Sequence, residues 1–475
     1  IGDGVFWPIV PHARKPRPQW LKKEGSEAMK GDFGKGKVSR LILAQAIPLT
    51  LAQLVQLLYN IIDRIYIGHM NSADAGNALS GVGLCFPIIT FIAAFVNWIS
   101  LGASPLCSMA RGKKETKKAQ DILTTAFTLE ILISIAVILI VFFIKTPLLY
   151  LLGASQVTYK FAVSYLDLYI LGTVFFAIST GMNAFINLQG FPRMGMLTTI
   201  IGAVINLILD PIFIFVLNLG VKGAAIATII SQFCSAVWVL AFLGNKKREL
   251  RLGRHSFKIH RYVVKDILIL GFPGFIMGAT NCAVQAVCNA TLSTFGGDVY
   301  IGIMTIINSV REMIGLPING ITTGSQPILS YNYGAQKYDR VKKGIRFASA
   351  LALLYTAIFW VSTLFLPHVY LSIFSKDPVV ISNGVIPLKI YFLGFIFMAL
   401  QFAGQSTFMA LGKAKQAVFF SIFRKVIIVI PLTLILARIP AIGVMGVFWA
   451  EPISNLIGGS ASCICMYFTV YRKLQ

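Results

Sequence analysis

Long apolar runs recur along this chain and leave few choices for its fold. FTLEILISIAVILIVFFI runs from Phe127 to Ile144, and ALALLYTAIFWVSTLFL from Ala350 to Leu366. About 20 mostly apolar residues wound as a helix cross about 30 Å of hydrocarbon. The alternating pattern that a membrane barrel needs is absent. A lipid-facing segment must satisfy its own backbone, so helices are what remains. Composition agrees: 56% of residues are hydrophobic and 13% charged, against about 25% charged in an average soluble domain.

Twelve spans are expected, at 41–68, 80–108, 121–145, 157–189, 194–217, 221–244, 265–295, 299–328, 344–367, 380–411, 415–438 and 441–470. The fold class is therefore an all-α polytopic membrane protein. Residues 1–40 form a basic tail, expected to be disordered or partly of non-native origin, with Met29 as the natural start. A six-helix bundle follows at 41–244, then a cytoplasmic linker at 245–264 and a second six-helix bundle at 265–471.

A net charge of +24 suggests a nucleic-acid binder until its distribution is read. With the N-terminal tail in the cytoplasm, 32 of the 42 Lys and Arg fall in the tail or in loops on that side, and six on the other. Arg64, Arg311, Arg424 and Lys425 lie within spans. Loop-by-loop alternation of this kind is the positive-inside bias. It predicts a multi-pass protein of the cell (inner/plasma) membrane with both termini cytoplasmic. The expected partners are the bilayer and small organic molecules, with no nucleic acid, and the expected state is a monomer. The seven cysteines sit within or beside apolar spans without metal-ligand spacing, as packing residues do. No HExxH or GxSxG motif points to an enzyme, and no cofactor is expected beyond a coupling ion.

The chain also repeats itself. GASPLCSMARG (Gly102 to Gly112) and GSQPILSYNYG (Gly324 to Gly334) share Gly, Pro, Ser and Gly at an offset of 222. The same offset carries Gly190 onto Gly412. One residue more aligns LGVKGAAIA from Leu219 with IGVMGVFWA from Ile442, and Pro48 pairs with Pro273. With six spans per half the repeats are parallel, which predicts a pseudo-twofold axis along the membrane normal. Two bundles around a central cleft are a transporter architecture.

Polar residues inside the spans fall in stripes. Gln53, Gln56, Asn60 and Asp63 step by three or four along the first span, with Asn281, Gln285 and Asn289 on the seventh. Gln401 and Gln405 share a face of the tenth span, and Ser179 and Asn183 share one of the fourth. Such amides can glue helices at about 1 kcal/mol per bond. Matched stripes on repeat-related helices favour a shared polar cleft. Glu312 and Glu451 are its candidate counter-charges, or else partners for Arg311, Arg424 or Lys425.

The acids are unequally shared. INLILDPIFIF (Ile205 to Phe215) places Asn206 and Asp210 four apart, on one face. An intramembrane carboxylate costs roughly 3 kcal/mol on insertion scales. Together with Asp63 these residues form an acidic cluster in the first half, and their repeat positions fall at Cys288, Ile428 and Leu432. Two carboxylates in a low dielectric cannot readily both be ionised, so the pair can hold a proton or a hard cation such as Na⁺. The structural alternatives are a helix cap by Asp210 at a break before Pro211 and an Asp63–Arg64 pair.

YNIIDRIYIGHM (Tyr59 to Met70), NLILDPIFIF and GSQPILSYNYGA together resemble the multidrug and toxic compound extrusion (MATE) family, its prokaryotic DinF-like and MepA-like members above all. The likeness covers about 38–471. It implies cation-coupled, alternating-access export of organic, mostly cationic and amphipathic compounds, with H⁺ expected over Na⁺. It assigns the coupling-ion site to Asp63, Asn206, Asp210 and Thr228, with no metal beyond Na⁺ there. A hinge is implied at Pro48. Gln53, Gln56, Tyr59, Asn60, Asn183, Asn281, Gln285, Glu312, Gln401, Gln405 and Glu451 become the substrate cleft. Some members hold Na⁺ on second-half carboxylates, and here those positions read Asn281 and Leu400. The alternative function is a flippase of a lipid-linked precursor from the same superfamily, whose anionic head groups Arg311, Arg424 and Lys425 would suit.

Overall fold

The computed structural model describes residues 32–68, 70, 75–253, 257–375 and 377–474, apart from a few side chains. Residues 1–31 of the tail expected at 1–40 lie outside the described residues, as do the side chains of Asn60 and Arg64, whereas 32–40 are described and Val38 to Arg40 already belong to the first helix.

The chain folds into helices, with no strand among the described residues. The first half comprises α1 (Val38–Gly68), α2 (Ala75–Gly112), α3 (Thr116–Leu151), α4 (starting at Gln156–Leu171), α5 (Pro192–Pro211) and α6 (Gly220–Leu243). The second half comprises α7 (Arg261–Phe295), α8 (Gly297–Gly334), α9 (Tyr338–Phe365), α10 (Pro378–Leu393 and Phe395–Ala410), α11 (starting at Ala414–Ile422) and α12 (starting at Met445–Ser454). Among the described residues, eleven helices are long and apolar enough to span a bilayer, and α4 with its continuation makes twelve.

The fourth span departs from the single helix expected over 157–189. It bends by 54° between Leu171 and Thr173. Its partner α10 breaks at Gly394, the repeat position of Gly172. A Cβ on Gly394 would press against the backbone of Pro452, so glycine there lets α12 approach.

Proline shapes the later helices of each half. Past Pro211, α5 continues as a π-turn over Ile212–Val216. In α11 a π-turn spans Phe423–Val429 just ahead of Pro431, and in α12 one spans Asn455–Gly459 just after Pro452. Proline removes a backbone donor and crowds the preceding turn, which the wider π-turn accommodates. Asp210 therefore does not cap a broken helix, because the helix does not break there.

Turn geometry carries the repeat as well. Positive φ angles recur at Lys114 and Gln336 and at Gly190 and Gly412, both pairs 222 residues apart. Apolar cores fill both bundles and run between them, through Val263 and Ile267 of α7 and through Ile42 and Ile328. One first-half core is built around Leu123, Phe185 and Val239, and one second-half core around Ile307, Phe392 and Phe448.

The two bundles meet where α2 packs on α7 and on α8, and α1 on α8. A side chain on Gly112 would strike the Tyr331 carbonyl, and one on Gly334 the Met109 carbonyl. Both pairs obey the repeat offset, so the contact is reciprocal about the pseudo-twofold. Gly102 likewise meets the backbone of Ile267, and Gly324 that of Ala46. These close approaches all lie toward the Lys- and Arg-rich end of the bundles. Arg340 reinforces that end by donating to the carbonyls of Phe33, Lys35 and Gly36.

Candidate functional site

The first-half acids converge. Asp63 on α1 and Asp210 on α5 are both buried, and their carboxyl groups lie close enough for each to feel the other's charge. The Asn206 amide donates to Asp210 Oδ1 at 3.1 Å and to the Thr228 hydroxyl at 3.4 Å. Asn206 and Thr228 are each 1% exposed, so water scarcely reaches the group. The i, i+4 spacing on α5 aims Asn206 and Asp210 alike, and α6 brings Thr228 against them. Tyr59, one turn before Asp63, lies close to Asp63 and Thr228.

Sequence reasoning missed part of this site. Tyr165 and Tyr169 from α4 are buried near Asp63. They read as ordinary apolar filling in a long span. Glu130 was missed too, although it is one acid within the first apolar run quoted above. It is 0% exposed, neither carboxyl oxygen has a hydrogen-bond partner, and it packs against Gly181.

The polar stripes divide into two kinds. Gln53 on α1 is half-buried, while Gln56 there and Asn281 and Gln285 on α7 are exposed, as a cleft lining requires. Asn183, Gln401 and Gln405 differ from that expectation because they are bonded within their own bundles. Asn183 donates to the Gly195 carbonyl at 3.1 Å, and Gln405 to the Ser421 hydroxyl at 2.6 Å. Gln401 donates to Gln405 at 3.5 Å. Asn183 and Gln405 find partners on a neighbouring helix, and Gln401 one turn along its own. Pro48 lies within the unbroken α1, so no break marks the expected hinge.

The second-half acids also part ways. Glu312 is exposed and does not line the cavity there. Glu451 is buried, accepting from Arg424 Nη1 at 2.8 Å and from Lys425 Nζ at 3.1 Å. Arg424 Nη1 also donates to Asn455 Oδ1 at 2.8 Å. The π-turns of α11 and α12 carry Arg424, Lys425 and Asn455. A small cavity of about 30 Å³, room for a few water molecules or one small polar group, opens beside this group, lined in part by Arg311, Tyr391, Lys425 and Glu451. Glu451 is thus the counter-ion of two fixed cations and not a free charge for a cationic cargo.

Comparison with known proteins fits this architecture. The MatE family model matches residues 48–212 and 273–435, one block in each bundle. A multidrug export protein MepA of Staphylococcus saprophyticus is 24% identical over 437 residues, covering 92% of this chain and 95% of that protein. A MepA of Staphylococcus aureus is 22% identical with the same coverage. Among solved structures, an outward-facing multidrug-resistance MATE transporter of the MOP superfamily superposes with a TM-score of 0.88. It is 20% identical, over 94% of this chain and 98% of that one. A MOP-superfamily transporter from Pyrococcus furiosus, described by a reversed polarity of its binding pocket and a different function, gives 0.87. It is also 20% identical, over 94% and 99%.

Proposed function

The chain belongs to the MatE family of membrane efflux transporters, and from that premise we propose that it is a proton-coupled antiporter exporting amphipathic organic compounds, mostly cations, by alternating access. Asp63, Asn206, Asp210 and Thr228 hold the coupling ion in this reading. The observation that carries it is the convergence of two buried carboxyls on Asn206 and Thr228. Two like charges buried side by side in a low dielectric favour a proton on one of them. Opening the bundle to water would solvate both carboxylates and release that proton; a cationic cargo arriving nearby would favour the same ionised form.

Sodium would use the same oxygens, as hard cations do. The proton is favoured because it neutralises one of two like buried charges without needing a full shell of oxygen ligands.

The reciprocal glycine contacts supply the alternating element. They close the seam between bundles at the basic, cytoplasmic end, which leaves the opposite end as the route for release. Rocking about that seam exchanges access. Exchange of one proton for one monovalent cation moves no net charge. It runs on the pH difference, at about 1.4 kcal/mol per unit. The membrane potential, worth about 2.3 kcal/mol per charge at 100 mV, would add nothing.

Purified protein in liposomes loaded with a cationic dye tests this directly. Dye transport should follow an imposed pH gradient and ignore a sodium gradient; transport driven by sodium with pH clamped would overturn the proton reading.

A further inference from the structure

The acidic cluster has no counterpart in the second half, where the polarity of the buried charges is reversed. Arg424, Lys425 and Arg311 surround a single buried carboxylate, that of Glu451. Glu451 spends its oxygens on Arg424 and Lys425. Arg311 is left over. Among the described residues it forms no hydrogen bond or salt bridge, and its Nε is buried without a partner.

Arg311 is half-buried at the cavity wall, and a guanidinium there without a protein acceptor gives up part of its hydration. Its natural complement is a ligand oxyanion, which the planar fork can grip with two parallel hydrogen bonds. The neighbouring groups agree. Tyr391 offers a hydroxyl donor, and Asn281 and Gln285 offer amides at the cavity wall. Val429 and Val447 make the rest of the lining apolar. A head-and-tail ligand matches both kinds of surface.

We propose that the cavity between α7, α8 and α11 binds the carboxylate or phosphate group of an amphipathic ligand, with Arg311 as the principal contact. Arg424 and Lys425 hold the local field positive, and Glu451 fixes their positions. The site adds organic anions to what the protein recognises, independently of which cation drives transport. Two sources offer this chemistry, a soluble organic anion and an anionic lipid head group.

Octyl phosphate is the probe, titrated calorimetrically into full-length protein in phosphatidylcholine nanodiscs, with octyltrimethylammonium as the control of opposite charge. Wild type should bind octyl phosphate. Arg311→Gln should weaken that binding by about tenfold or more, the worth of a charge-assisted hydrogen bond. Arg311→Lys should restore part of it, and the affinity for octyltrimethylammonium should not change. Gln285→Glu, which places a carboxylate at the wall without disturbing the buried pairs, should weaken octyl phosphate in the same direction. Phosphatidylglycerol added to the nanodiscs will displace the probe if a lipid head group is the resident ligand and leave it bound if a soluble anion is. Either result keeps the oxyanion site. No binding to wild type, or equal affinity in Arg311→Gln and Gln285→Glu, would overturn it. Because binding is read without transport, such a failure leaves proton-coupled export standing.

Discussion

The two halves of this chain share a backbone plan and oppose each other in charge. In the first half two carboxyls meet with an amide and a hydroxyl, and no described cation joins them. In the second half three cations meet a single carboxylate. Thr228 and Glu451 occupy the same repeat position, whereas Asp63, Asn206 and Asp210 fall at the neutral Cys288, Ile428 and Leu432, so the second-half cations stand at other positions of the shared frame. A duplicated helix plan does not duplicate chemistry. A bundle whose turns, breaks and glycines are fixed by packing remains free to change the few residues that face its cavity.

The comparison breaks most sharply at the acidic pair. Asp63→Asn and Asp210→Asn should each abolish pH-driven export while leaving expression intact, since the coupling proton loses its second carboxyl. Retained transport in either variant would separate the pair from coupling.

Stability should respond in opposite senses in the two halves. Glu451→Gln strips the counter-charge from Arg424 and Lys425, and breaking a buried pair from one side costs about 3–5 kcal/mol. A large fall in Tm of the detergent-solubilised protein is expected. Asp63→Asn relieves crowding between like groups and should leave Tm unchanged or raised. Equal losses in both variants would remove the distinction drawn here.

The seam offers a smaller, kinetic effect. Gly112→Ala and Gly334→Ala each put a methyl group against a facing carbonyl, so closure at the basic end should be disfavoured. Turnover should fall several-fold while cargo binding persists, and single-molecule distances across the seam should lengthen. The smallest expected change is at the amides that proved structural. Gln401→Ala should cost about 1 kcal/mol of stability and leave cargo affinity untouched.

Much of the fold could be read from residues alone because the bilayer is an exacting solvent. Span length, the side preference of Lys and Arg and the offset of 222 each follow from a single strong constraint. The site was legible where spacing is local. Asn206 and Asp210 are four residues apart on one helix, and their common direction needs no tertiary knowledge. The bend at Gly172 was hidden, since nothing in a run of apolar residues announces where a helix turns by 54°. The same holds for Tyr165 and Tyr169, whose role depends on which face α4 shows to α1. Glu451 was undecided between cargo and ion pair because its partners lie 26 and 27 residues away on another helix. Asn183, Gln401 and Gln405 looked like cleft residues for a related reason. Periodicity gives the face of a helix but not what covers it.

The central claim is that the Asp63–Asp210 pair exchanges a proton for cargo. The most direct test is proton release on cargo binding, followed with a pH indicator in weakly buffered detergent solution as a cationic substrate is titrated into the purified protein. Wild type should release protons in proportion to bound substrate, and Asp63→Asn and Asp210→Asn should release none. Undiminished release from either variant, or binding by wild type without any release, would contradict the account.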